Sequence, residues 1–139
     1  MPNVKEHQLL MKGPLVRATL AGLKTQTRRP IKPQPDDDIV AVRYDAIADL
    51  WLGNTPEDND LGYTSSWAER CPLGKAGDRL WVRETWTAAM HDPKGPADCL
   101  YRADDNRGVE DLAEAKWTPS IHMPRWACRL VLPLVSVRV

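Results

Sequence analysis

The side chains best suited to chemistry lie in two short stretches, residues 22–29 and 79–86. Lys24 and Thr27 are three positions apart, and a Lys held near a carboxylate and a Thr hydroxyl can activate that hydroxyl as a nucleophile. Glu84 falls on one face of an alternating pattern, so its carboxylate must be paired or have a raised pKa. The other predicted members of that face are apolar: Leu80, Val82 and Trp86. The candidate catalytic residues are therefore Thr27 as nucleophile, Lys24 as its activator and Glu84 as proton shuttle. Glu84 could instead bind a base edge or neutralise a buried Arg or Lys.

A second group of residues is suited to binding nucleic acid, because aromatic and Arg side chains alternate in it. Six Trp and no Phe occur in the chain. Aromatic rings beside guanidinium groups allow base stacking and phosphate contact, although at least half of the Trp are expected to fill the core. The candidate binding residues are Arg28, Trp81, Arg83, Tyr101, Ser120, His122, Arg125 and Trp126.

Short elements must position these residues. An apolar stripe at 15–23 predicts one amphipathic helix, with Pro14 in its first turn and Gly22 as its C-terminal cap. Residues 24–29 follow as an extended segment, in which Lys24 and Thr27 share a pocket only if the chain turns locally. Strands are predicted at 79–86, 99–103, 126–132 and 134–139, and one or two helical turns at 109–116.

At 139 residues, the chain predicts a single domain over 1–139. Residues from about 32 to 70 are acidic, rich in Pro and punctuated by Gly, which predicts a long surface insertion with one possible element at 39–52. Several short strands with one N-terminal helix predict an α+β, mostly β domain, either a small barrel or a rolled sheet.

Composition narrows the function further. The net charge is zero, but residues 1–35 hold seven Lys or Arg against one acid, and residues 117–139 hold three Arg and no acid. If these basic ends meet, they form a patch suited to phosphate. No apolar run is long enough to span a membrane and no signal peptide is visible, which predicts a cytoplasmic protein. Three scattered Cys suggest neither disulfides nor a metal site, and no cofactor is expected.

The segment GLKTQTRR at 22–29 resembles the GxKxxxxR signature of ASCH domains, which belong to the PUA-like superfamily. CPLGKAGDRLWVRETW at 71–86, LYRAD at 100–104 and WTPSIHMPRWACR at 117–129 add to this resemblance, which covers most of the chain outside 36–66 and is greatest to phage and prophage proteins. The resemblance implies a small PUA-like β-barrel with a cleft for RNA or a modified base. Similar proteins continue beyond the last predicted strand, so a shortened C-terminus is also an expectation.

Some bacterial members of this family are amidohydrolases that act on N4-acetylcytidine. By resemblance, Lys24 and Thr27 match their Lys and Thr, and Glu84 matches their Glu. The leading hypothesis is accordingly a hydrolase of modified nucleosides. The alternatives are a non-catalytic module that binds RNA, single-stranded nucleic acid or a modified base, a ribonuclease that pairs Lys24 with His122 or Tyr101, and a protein-interaction domain. The oligomeric state is not predicted.

Overall fold

The computed structural model describes residues 3–57, 67–104 and 115–139. These residues form eight short strands and one α-helix, which confirms an α+β, mostly β architecture. Three small sheets are present in this part of the chain, and each of them is open. The predicted helical turns at 109–116 fall mainly outside the described residues.

The central sheet consists of β1 (Glu6–Leu10), β5 (Arg79–Arg83) and β8 (Val131–Pro133), with β5 in the middle. β1 runs parallel to β5, with Glu6 opposite Arg79 and Leu10 opposite Arg83. β8 runs antiparallel on the other side. Because β5 is covered on both faces, its side chains at 80, 81 and 82 are all buried.

The strand predicted over 79–86 is interrupted. β5 ends at Arg83 and β6 (Trp86–Ala88) begins three residues later, pairing with β7 (Cys99–Tyr101) instead of continuing the central sheet. The prediction that Trp86 shares a face with Leu80 and Val82 is therefore wrong. Leu80 and Val82 pack with Leu9, whereas Trp86 belongs to a second apolar cluster that contains Trp81.

The helix α1 spans Gly13–Leu20, with Pro in its first turn as predicted. Gly22 adopts a left-handed φ of 72°. The Leu23 N–H donates to the Ala18 carbonyl at 2.9 Å and the Gly22 N–H donates to the Thr19 carbonyl at 3.0 Å. These two bonds constitute a Schellman motif, so the predicted glycine cap is confirmed.

The region predicted as a surface insertion contains a sheet of its own. β2 (Ala41–Asp45), β3 (Leu50–Asn54) and β4 (Trp67–Glu69) pair antiparallel in that order. The single element predicted at 39–52 is thus a hairpin. The hairpin packs closely at Gly53. A Cβ added there would lie 3.0 Å from an Ile39 methyl and 3.2 Å from the Trp67 ring.

Two C-terminal strands are predicted at 126–132 and 134–139, but the structure has in this region only the three residues of β8. Arg125–Ala127 form a 3-10 turn, and residues 134–139 carry no assigned strand. The Leu134 N–H still bonds to the Asp78 carbonyl at 2.8 Å, which anchors the start of this last segment beside β5. Across the ranges that are described, no helix has the length and hydropathy needed to cross a bilayer.

Candidate functional site

The Lys24 pocket is a cavity of about 590 Å³ between two chain segments, residues 24–28 and 132–138. The Schellman motif at the end of α1 determines where the first segment begins, because it turns the chain out of the helix at Gly22. The second segment leaves the central sheet at β8. A volume of this size lies within the range of small-molecule sites in proteins.

Lys24 and Thr27 are both half-buried, whereas Thr25, Gln26 and Arg28 are exposed. The Lys24 ammonium donates a hydrogen bond to the main-chain carbonyl of Gln26, so the segment curls back on itself. This is the kind of local turn that Lys24 and Thr27 needed in order to line one pocket. The structure therefore brings these two candidate residues together, with Arg28 beside them.

The pocket combines an apolar floor with a cationic rim. Its floor is lined by Leu9, Met11, Leu80 and Leu132. Its cationic residues are Lys24, Arg28 and Arg138, and within the described part of the chain no Asp or Glu lines it. The basic N-terminal and C-terminal regions therefore meet here. Apolar surface with a few converging polar groups is typical of a binding site, and the uncompensated cations favour an anionic ligand.

Glu84 lies elsewhere and has other partners. Its side chain is 1% exposed, and both carboxylate oxygens accept hydrogen bonds from the Arg129 guanidinium, at 2.9 and 3.0 Å. Arg129 also donates to Asp104 at 2.9 Å, and its Cζ lies 4.0 Å from the centroid of the Tyr101 ring. Glu84 lines a separate cavity of about 200 Å³ near the start of α1, together with Arg17.

The environment of Arg129 raises the pKa of its guanidinium. Burial by itself would lower that pKa, but the hydrogen bonds to Glu84 and Asp104 and the charges of these two carboxylates outweigh it. Arg129 is therefore the fixed positive centre of this cluster. Tyr101 packs against it, and burial raises the pKa of the phenol, whose hydroxyl donates to the Ala127 carbonyl at 2.7 Å.

Three of the candidate binding residues, Trp81, Arg83 and Arg125, lie on the opposite face of the central sheet. Leu80 lines the Lys24 pocket, so the next residue, Trp81, points away from it. Trp81 is 8% exposed, with the Cζ atoms of Arg83 and Arg125 at 5.4 and 5.9 Å from its ring centroid. Its faces are thus largely occupied by protein. Arg125 in turn forms a bidentate ion pair with Glu6, with distances of 2.8 and 3.1 Å.

The loop at 117–127 supplies the other predicted contacts. Ser120 is half-buried, while His122 and Trp126 are exposed. Trp126 packs edge-on against Trp86, with ring centroids 5.4 Å apart. Together with Tyr101, these residues lie outside the lining of the Lys24 pocket. The structure therefore does not join Lys24 to His122 or Tyr101, the pairing that a ribonuclease would need.

Two lining residues of the Lys24 pocket, Ser136 and Arg138, were not among the predicted site residues. A signal for them existed, because polar and apolar residues alternate through 135–139. That alternation indicates which side chains share a face, but it does not show that this face meets residues 24–28.

Asp78 and His7 form a second polar cluster, which sequence reasoning missed. The Asp78 carboxylate is buried and accepts hydrogen bonds from the main-chain N–H groups of Lys5 and Lys75, at 3.0 and 3.1 Å. The His7 Nε2 lies 3.2 Å from the same carboxylate. The Lys5 N–H contributes most to lowering the pKa of Asp78, and the Lys75 N–H and His7 lower it further. Asp78 thereby fixes the turn that precedes β5.

Comparisons with protein-family models, with curated proteins and with solved structures found no significant match to this chain.

Proposed function

We propose that this protein binds a nucleic-acid base or a modified nucleoside, and that the Lys24 pocket is the binding site. The observation that carries the proposal is the composition of that pocket, an apolar floor beneath Lys24, Arg28 and Arg138 with no carboxylate from the described residues in its lining. A base is flat and its two faces are apolar, so it can pack on the floor. A phosphate or another electron-rich group suits the cationic rim, where charge-assisted hydrogen bonds are strong.

We also propose that the domain is a PUA-like domain of the ASCH type, with an arrangement related to a small β-barrel. In support, α1 is followed directly by the GLKTQTRR segment, and this segment lies beside the chain that leaves the central sheet. The cleft implied by the family resemblance has a counterpart in the Lys24 pocket.

Hydrolysis of an N4-acyl cytidine is the second candidate function, favoured by the position of Lys24 and Thr27 in one pocket. In this reaction the Thr27 oxygen attacks the acyl carbonyl and the carbon–nitrogen bond breaks. The cytosine amine takes the proton that Thr27 gives up, relayed by Lys24. Water then cleaves the acyl-Thr27 ester, releasing the carboxylic acid and restoring the hydroxyl.

Because Glu84 is already paired with Arg129, we rank binding as the first candidate function and hydrolysis as the second. Both oxygens of its carboxylate already accept hydrogen bonds from Arg129, and Glu84 does not line the Lys24 pocket. A proton shuttle must reach the proton that it moves. Hydrolysis therefore requires either that Glu84 exchange partners or that Lys24 relay the proton without it.

The test combines binding with product analysis. Calorimetry with cytidine 5′-monophosphate, cytidine and N4-acetylcytidine measures affinity, and mass spectrometry of the same mixtures measures any cytidine and acetate formed from the acetylated nucleoside. We expect Arg28→Ala and Arg138→Ala to weaken binding of the monophosphate. Arg43→Ala is the matched control, because Arg43 is exposed on β2 and does not line the pocket. If none of these ligands binds, or if the control weakens binding equally, the proposal is wrong.

A further inference from the structure

A second cavity, of about 550 Å³, adjoins the Lys24 pocket, and we call it the Trp51 cavity after the aromatic residue in its wall. The two cavities share five lining residues: Thr27, Arg28, Leu134, Ser136 and Arg138. A ligand that fills the Lys24 pocket would therefore reach the entrance of the Trp51 cavity at these residues.

The same two chain segments form the walls of both cavities, and they do so in the same order. Residues 24–28 line the Lys24 pocket, and residues 27–31 line the Trp51 cavity. On the other wall, residues 132–136 and 138 line the Lys24 pocket, and residues 134 and 136–139 line the Trp51 cavity. Both walls thus run from one cavity toward the other. The two cavities therefore form one groove between two extended segments, and this groove has room for a linear ligand.

The charge along this groove suits a phosphodiester chain. Arg28 and Arg138 line the stretch that both cavities share. Arg29 and Arg70 line the Trp51 cavity, and among the residues that the structure describes Glu69 is the single acidic one in its lining. Cations therefore outnumber carboxylates along the whole path. A basic groove that follows the backbone is the usual arrangement in proteins that bind single strands.

Trp51 supplies an aromatic surface at the second position. It lies on β3, is half-buried, and packs at a tilted angle against Tyr44 with ring centroids 5.2 Å apart. Bases stack on such rings with little dependence on sequence. The buried Trp81, whose faces carry two guanidinium groups, offers no comparable surface.

We infer that the ligand is a single-stranded oligonucleotide of at least two nucleotides. One base occupies the Lys24 pocket, the linking phosphate lies between Arg28 and Arg138, and the next base stacks on Trp51. This inference rests on the proposed function and deepens it, because it distinguishes a strand from a free nucleoside.

The experiment compares cytidine 5′-monophosphate with the dinucleotide pCpC, made as RNA and as DNA, in calorimetric titrations at one salt concentration. We expect pCpC to bind about tenfold more tightly, the amount that one stacked base commonly contributes. Trp51→Leu should remove this advantage and leave the affinity for the monophosphate unchanged. Arg70→Ala provides an independent variant, because Arg70 lines the Trp51 cavity and not the Lys24 pocket.

The outcomes separate this inference from the proposed function. Equal affinities for the monophosphate and pCpC in both sugar forms would overturn the oligonucleotide assignment and leave base binding intact. If neither the monophosphate nor pCpC binds, the oligonucleotide assignment and the proposed function are both wrong. A poly-Glu peptide that competes as well as pCpC would show attraction by charge alone and would also reject the inference. If Trp51→Leu fails to fold by circular dichroism, Arg70→Ala decides: unchanged affinity for pCpC refutes the second subsite.

Discussion

The Arg129 guanidinium holds the Glu84 carboxylate in a two-point ion pair, with Nε 2.9 Å from Oε1 and Nη2 3.0 Å from Oε2. The two residues are 45 positions apart in the chain, so this pair connects the end of β5 to the segment before β8. Asp104 binds the same guanidinium. The pair therefore links three parts of the chain at one buried point.

Removing Arg129 should destabilise the protein strongly, because the buried Glu84 carboxylate would lose its partner. We expect Arg129→Ala to lower the free energy of unfolding by about 3–5 kcal/mol. The double variant Glu84→Leu with Arg129→Met should lose less, since it leaves no unpaired buried charge. Urea denaturation of both variants measures the difference. A loss of less than ~1 kcal/mol in Arg129→Ala, the value of an ordinary surface pair, would contradict this structural role.

Stability in acid should depend on Asp78. Hydrogen bonds from the main-chain N–H groups of Lys5 and Lys75, and from His7, lower the pKa of this carboxyl in the folded protein. Its contribution is therefore complete above the unfolded pKa of about 3.9 and is lost as the pH falls through the folded value. We expect Asp78→Asn to be less stable at pH 7 and to lose less further stability on acidification than the wild type. Urea midpoints measured from pH 3 to pH 7 test this slope.

The carboxylate of Glu6 provides the control for this dependence of stability on pH. Glu6 is exposed and its pKa is also lowered, chiefly by the hydrogen bonds from Arg125. Glu6→Gln should therefore leave most of the Asp78 contribution in place. If Asp78→Asn retains the full wild-type dependence on pH, the network around the Asp78 carboxylate does not stabilise the fold in the way described.

Gly74 and Gly77, which belong to two successive turns before β5, allow a matched comparison. Both have a left-handed φ, 91° at Gly74 and 96° at Gly77. An added Cβ at Gly74 would lie 2.6 Å from the Asp78 carboxylate and from the His7 ring, whereas at Gly77 nothing lies within 4 Å. Gly77→Ala should cost about 1–2 kcal/mol from the backbone alone. Gly74→Ala should cost clearly more, and similar unfolding midpoints for the two variants would refute the close approach.

The sequence predicted the parts of the fold that depend on local patterns. The apolar stripe and Gly22 located α1 and its cap, because a helix face and a left-handed cap have short-range signals. Alternation located β5 but not its end at Arg83. The break lies next to Glu84, whose partner Arg129 comes from a distant part of the chain, and no local pattern contains that information.

For the site as well, the sequence predicted only those features that depend on residues close together in the chain. Lys24, Thr27 and Arg28 line one pocket, as expected of residues that are close in sequence and follow one helix cap. The grouping of Glu84 with them is not seen, because Glu84 binds Arg129 and lines another cavity. Arg138 joins the pocket only through the path of the chain after β8, which depends on tertiary structure.

Lys24 distinguishes an enzyme from a binding module. If Lys24 relays a proton to or from the reacting group, Lys24→Ala should reduce turnover of N4-acetylcytidine by about 10²–10⁴-fold. If it only contacts a phosphate or a base, the same change should weaken binding modestly, and no turnover should be seen in the wild type. Lys24→Arg separates the two roles further, because Arg keeps its positive charge and does not deprotonate in proteins. It should preserve binding and eliminate proton transfer.

Product formation and affinity are measured for the wild type and both variants, with Arg43→Ala as the control for a lost surface charge. A wild type that turns over the substrate and a Lys24→Ala variant that does so equally fast would exclude Lys24 from the chemistry, and unchanged affinity in that variant would exclude it from binding.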